Sequence, residues 1–167
     1  MTSAVTARPT AGIAPDRFRQ AFRRHPAGVV VITADVGGGP VGFTATSLTS
    51  LSLTPPLVSF GIATTSSSWP HVQRAATAVV NFLADDQESV ARTFATSGID
   101  RFAAPTDWAR LPDGEPVLRG SAGWLRVGIE QLVPAGDHRL VIARVEEAHV
   151  EAGRGPLLFH DGTYHSL

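Results

Sequence analysis

The apolar segments of this chain are short and follow one another closely, and that spacing limits the fold more than any other feature. Residues 28–33 (GVVVIT), 57–63 (LVSFGIA) and 78–83 (AVVNFL) are runs rich in Val, Ile and Phe, with the length and composition of buried strands. Gly37-Gly38-Gly39-Pro40 turns the first run back into residues 41–47 as a hairpin. Residues 116–133 and 138–151 read as two long strands joined through Pro134-Ala135-Gly136-Asp137. Residues 157–159 and 163–165 flank Asp161-Gly162, a strong two-residue hairpin signal. Parallel strands need crossovers of a dozen residues or more, and repeated units of that kind do not fit here. An antiparallel barrel with a few covering helices is the economical architecture.

Three helices interrupt the strands. Residues 15–24 carry Pro15 at the first helical position, Asp16 in the first turn, and Phe18 and Phe22 one turn apart on one face, with Pro26 as the stop. Ser68 caps a short helix that has Pro70 just inside and ends near Ala75. Residues 85–96 start with acids and align Val90 with Phe94. Residues 100–115 read as irregular.

The 167 residues suit one domain over 15–167, preceded by a small, polar, flexible leader at 1–14 that lacks the apolar core of a signal peptide. A formal net charge of -1 gives no footprint for nucleic acid. No apolar run approaches the ~18 residues of a membrane span, so a cytoplasmic location is expected. Cysteine is absent, which removes disulfides and thiolate chemistry. The six histidines fall in no metal-ligating spacing, so no metal site is expected. No GxGxxG follows a strand, lysine is absent and with it the phosphate-loop motif, and no GxSxG elbow occurs.

Against this plain background one stretch stands out. From Phe43 to Thr54, seven of twelve residues are Ser or Thr. An unpaired buried hydroxyl costs roughly 1–3 kcal/mol, so these groups either bond the local backbone or line a site for a polar ligand such as a flavin or a phosphate. Hydroxyls recur at 64–68 ahead of Trp69-Pro70, where a helix start is either simply capped or open to a phosphate. Gly136-Asp137-His138-Arg139 is either a turn with a solvated histidine or a place where imidazole orients a planar substrate. Asp100-Arg101-Phe102-Ala103 offers an arginine that is either a surface group or a phosphate partner.

Taken in order, these pieces resemble the flavin reductase family of the FMN-binding split-barrel fold. The matching segments are PAGVVVIT from Pro26, GFTATSLTSLSL from Gly42, PPLV from Pro55, SSWP from Ser67, VNFL from Val80, Arg101-Phe102, Gly136-Asp137-His138 and PLLF from Pro156. The resemblance runs from about Phe18 to the last residue and implies a mainly β, antiparallel split barrel with a few helices. It also implies that Thr44, Ala45, Thr46 and Ser47 lie along the flavin ring and ribityl chain, and that Ser50, Leu51 and Ser52 continue the same binding segment. Ser66, Ser67, Ser68 and Trp69 then meet the phosphate with Arg101 and Phe102. Asp137 and His138 lie beside the nicotinamide, with His138 as the catalytic residue. Some members carry a lysine near the phosphate, and this chain has none, so an arginine must take its place.

The implied activity is reduction of FAD or FMN by NADH, with NADPH as the alternative donor. The reduced flavin passes to a separate flavin-dependent monooxygenase, often one of secondary metabolism, and the reductase is a homodimer. Hydride transfer of this kind asks the protein mainly to stack two rings roughly 3–3.5 Å apart. Two other readings stay open from the residues: a pyridoxamine-phosphate-oxidase-type enzyme with tightly held FMN, and a flavin-binding barrel without catalysis.

Overall fold

The β-branched run near the start of the domain becomes the strand on which the rest is built, in a computed structural model that describes residues 11–167. In chain order the elements are α1 (Pro15–Phe22), β1 (Ala27–Gly28), β2 (Val30–Asp35), β3 (Pro40–Ala45), β4 (Thr49–Leu53) and β5 (Pro56–Ala63). They continue with α2 (Trp69–Val72), β6 (Thr77–Phe82), α3 (Glu88–Ala95), β7 (Trp108–Arg110) and β8 (Pro116–Leu118). The last four are β9 (Gly123–Ala135), β10 (His138–Val150), β11 (Leu157–His160) and β12 (Thr163–Ser166). Seven strands form one antiparallel sheet in the order β3-β2-β6-β9-β10-β5-β4. Its edge strands β3 and β4 are consecutive in sequence yet not hydrogen-bonded to each other, so the barrel is split between them.

The sheet curls enough for Phe43 on β3 to meet Phe60 on β5, with ring centroids 6.3 Å apart. Alternate residues of β2 explain why the whole run is apolar. Val30, Ile32 and Ala34 face the barrel interior with Phe60, Ile62, Val80, Val127 and Val141. Val31 faces outward into a second core with Leu83, Phe94, Leu118 and Leu157. A strand buried on both faces has no use for alternating polarity.

Buried polar groups clip further segments onto this frame. Asn81 is fully buried; its amide donates to Val31 O at 3.0 Å and to Thr33 Oγ1 at 3.1 Å, while its oxygen accepts from Leu118 N at 2.8 Å. Gln87 accepts from Ala84 N at 3.0 Å and donates to Arg119 O at 2.9 Å. These two amides account for one departure from the sequence reading. The long strand expected over residues 116–133 is broken at 119–122, because β8 is held beside β7 by Asn81 while β9 pairs with β6.

Other departures are smaller. β4 is a strand of its own, separate from the hairpin strand expected over residues 41–47, and β7 lies inside the stretch read as irregular. α1 stops at Phe22, α2 at Val72, and α3 begins at Glu88 once Gln87 has turned inward. Asp161 (φ 49°) and Gly162 (φ 83°) form the expected tight turn. Of the expected leader, residues 1–10 lie outside the described residues, and 11–14 are exposed without regular structure.

Candidate functional site

Strand pairing brings two distant motifs together over a glycine. β10 runs antiparallel to β5 with His138 opposite Ala63 and Leu140 opposite Gly61. Just after β3, the Ser47 hydroxyl accepts a hydrogen bond from Gly61 N at 2.9 Å. A Cβ on Gly61 would lie 3.6 Å from Ser47 Oγ and 3.8 Å from His138 Cδ2. Gly61 is thus a bare floor that Ser47 and the imidazole both approach. The turn carrying His138 is anchored, since Asp137 O accepts from Thr64 N at 3.0 Å and from the Thr64 hydroxyl at 3.1 Å.

The imidazole itself is held from behind. His138 Nδ1 lies 2.8 Å from Asp137 Oδ1. That hydrogen bond, with the attraction of the ring's charge, keeps the Asp137 carboxyl below its ordinary pKa. The Cδ2 edge is left toward Gly61, which is the arrangement that presents one edge of a ring to a planar ligand.

A second constellation forms around a backbone carbonyl. Gly42 O accepts from Ser68 Oγ at 3.0 Å and from Arg101 Nη1 at 2.6 Å, and Arg101 Nη1 also reaches Ser68 Oγ at 3.2 Å. Arg101 Nε donates to Thr96 O at 2.9 Å. Burial pulls the pKa of this guanidinium down from its usual value, and it remains charged at any ordinary pH. Among the described residues Arg101 forms no ion pair. A partly buried cation without a counter-charge is costly, and here it borders a hollow of about 130 Å³ shared with Ser67, Ser68 and Gly42.

A much larger cleft of about 870 Å³ opens on the Thr46–Thr49 segment. Thr46, Ser47, Leu48 and Thr49 form one wall; α1 and the β11–β12 hairpin form the other. Ser47 therefore belongs both to the Gly61 floor and to this cleft.

The hydroxyls of residues 43–54 and 64–68 divide between the two roles left open by sequence. Thr44 donates to Ala91 O at 2.7 Å and ties β3 to α3, so its hydroxyl is turned away from the groove expected for it. Ala45 is buried in the barrel core. Ser50, Leu51 and Ser52 lie on edge strand β4, where a bulge sets Leu51 outside the pairing register, and they line neither the small hollow nor the larger cleft. Ser66 accepts from Ser68 N at 3.3 Å, which shapes the turn, and Ser67 faces the small hollow. Ser68 is buried with its hydroxyl turned inward to Gly42. Trp69 packs against the core beneath Arg139, whose Cζ is 5.9 Å from the ring centroid. Phe102 is wedged edge-on between Phe94 and Trp108, at 5.1 and 5.2 Å between centroids, and also borders the small hollow with Arg101.

Three participants escaped the sequence reading. Gly61 gave no signal, because a glycine within a strand marks close approach only when the approaching group is known. Gly42 supplies its carbonyl rather than a side chain. The third is the cleft wall carried by α1.

An open antiparallel barrel with a cleft walled by Thr46, Ser47 and Thr49, and a separate hollow bordered by a guanidinium without an ion pair, suits a phosphorylated, planar ligand. The pattern of the flavin reductase like domain matches residues 22–167. The chain belongs to the flavin reductase family. It is 49% identical over 166 residues to the NADH:FMN oxidoreductase of Rhodococcus qingshengii, covering 97% of this chain and 86% of that protein. It is 38% identical over 152 residues to the reductase subunit of a flavin-dependent monooxygenase from Rhodococcus jostii, covering 91% and 77% respectively. The solved NADH:FAD oxidoreductase of Streptomyces globisporus, in complex with NAD and FAD fragments, matches with a TM-score of 0.87 and 31% identity over 95% of this chain and 97% of that one.

Proposed function

We propose that this protein oxidises NADH, reduces FMN or FAD, and supplies the reduced flavin to a separate monooxygenase. The observation that carries the reading is Arg101, which makes no ion pair among the described residues and borders a hollow with Ser67 and Ser68, in a chain of this family. A bound flavin supplies the electron-accepting ring, and the nicotinamide supplies the hydride.

The chain's own residues hold and orient the partners. Arg101 and the 66–69 turn fit a phosphate, because a partly buried guanidinium gains more from an oxyanion than one fully in water. The bare surface at Gly61 admits a flat ring, and Ser47 fixes the backbone there through Gly61 N. His138, braced by Asp137, orients the nicotinamide against that ring. Relatives named for FMN and for FAD agree with a site that grips the part the two flavins share. Exposed Leu53 and Leu51 on edge strand β4 support assembly as a homodimer through that edge. NADH is the donor we favour over NADPH, in line with the relatives named for NADH.

The test is NADH consumption by purified protein with FMN, with FAD and with no added flavin. Flavin-dependent turnover is expected. Flavin binding without NADH oxidation would leave only a carrier, and turnover of a small amine with retained FMN would point to an oxidase.

A further inference from the structure

We propose that α1 forms the binding wall for the adenosine diphosphate portion of a dinucleotide, with Phe18 and Phe22 facing the adenine and Arg23 the pyrophosphate. This rests on the reading of the groove as a flavin and nicotinamide site, and extends it to the half of the ligand that takes no part in hydride transfer.

α1 is a helix with one aromatic face that buries none of its residues. Phe18 is 53% exposed and Phe22 57% exposed, with their rings 4.7 Å apart. Two neighbouring phenylalanines left open on one face form an apolar surface that calls for a partner. They line the 870 Å³ cleft whose opposite wall includes Thr46 and Ser47, and Ser47, which accepts from Gly61 N, joins that cleft to the Gly61 floor. Its volume is in the range of roughly 300–1,000 Å³ that holds small molecules and cofactors.

Charge selects the occupant. Arg19 is paired to Asp16 at 2.7 Å, whereas Arg23 stands 3.9 Å from Asp161, the longest ion pair among the described residues. The main chain beneath Arg23 is fixed, because its carbonyl accepts from Asp161 N at 3.1 Å. The guanidinium is therefore anchored at its base and loosely paired at its tip, ready for a stronger anion. Aromatic faces beside a loosely paired guanidinium are what an adenine joined to a pyrophosphate requires. The sequence also lacks the glycine fingerprint by which Rossmann folds hold that group. NADH and FAD both carry adenosine diphosphate, and FMN does not.

Calorimetric titration with ADP-ribose tests the wall directly, because that probe has neither nicotinamide nor flavin ring. Binding is expected for the unaltered protein, and Phe22→Ala and Arg23→Gln should each weaken it roughly tenfold. Steady-state kinetics then identify the source: a raised KM for NADH with FMN as acceptor assigns the wall to the nicotinamide dinucleotide, and a raised KM for FAD alone assigns it to the flavin. Absence of ADP-ribose binding, or equal affinity in all three proteins, would overturn the proposal while normal NADH:FMN turnover left the proposed function standing. A dimer that dissociates on Phe22→Ala with ADP-ribose affinity unchanged would instead make α1 a surface for a second copy.

Discussion

Arg101 places three hydrogen bonds on neutral oxygens and none on a carboxylate, so its charge is available to a ligand. Replacing it with glutamine should weaken FMN by about tenfold to a hundredfold, the worth of a hydrogen bond to a charged group. Riboflavin, which has no phosphate, should lose far less; fluorescence-quenching titrations of both flavins make the comparison. His138→Ala should raise the KM for NADH and slow flavin reduction in stopped-flow traces, and an unchanged rate and KM would remove His138 from the site. Asp137→Asn should act in the same direction and more weakly, because it loosens the imidazole without deleting it. At this scale the sequence was partly legible. The motif histidine and the hydroxyls were visible, but the meeting of Ser47 and His138 depends on the register of β10 on β5, and no local pattern states a register between distant strands.

Among the elements, β3 carries more than its length suggests. A Cβ on Gly42 would come 2.8 Å from Ile32 O and 2.9 Å from Phe94 Cε1. Gly42→Ala should therefore push β3 off α3, lower the melting temperature by several degrees, and move the carbonyl that Ser68 and Arg101 share. FMN affinity should fall with it, which thermal unfolding and flavin titration would show together. Asn81→Leu should be costlier, on the order of 2–4 kcal/mol in denaturant unfolding, since it strands Leu118 N and Val31 O in the core. Tight turns were readable because Asp161-Gly162 names its own geometry, and β2 was readable from its β-branched run. The break at 119–122 and the independence of β4 were not, because one is imposed by the distant amides of Asn81 and Gln87 and the other by pairing with β5.

For the molecule as a whole, carboxylates held below their ordinary pKa tie stability to pH. Burial works to raise the pKa of Glu115, but the nearby Thr77 hydroxyl and the Arg126 guanidinium outweigh it and bring it below the usual value. Arg126 gathers Glu115 at 2.8 Å, Asp113 at 3.1 Å, and Glu146 in a still shorter contact. Asp35 behaves alike: burial raises it, while the Gly37 amide and Arg110 lower it further. A carboxylate whose folded pKa is depressed stabilises the fold above its unfolded value and loses that contribution as pH falls through the folded one. Melting temperature should thus hold level from neutral pH to about 5 and decline below about 4, and Glu115→Gln should flatten that decline while costing about 1–3 kcal/mol near pH 7.

The barrel, its groove and its lone cation amount to a single assertion, that a flavin lies over Gly61 with its phosphate at Arg101. A crystal structure of the protein soaked with FMN tests it most directly. We expect the ring beside Ser47 and His138 and the phosphate against Arg101 and Ser67. Flavin bound at another surface, with this groove vacant and NADH oxidation intact, would contradict the account.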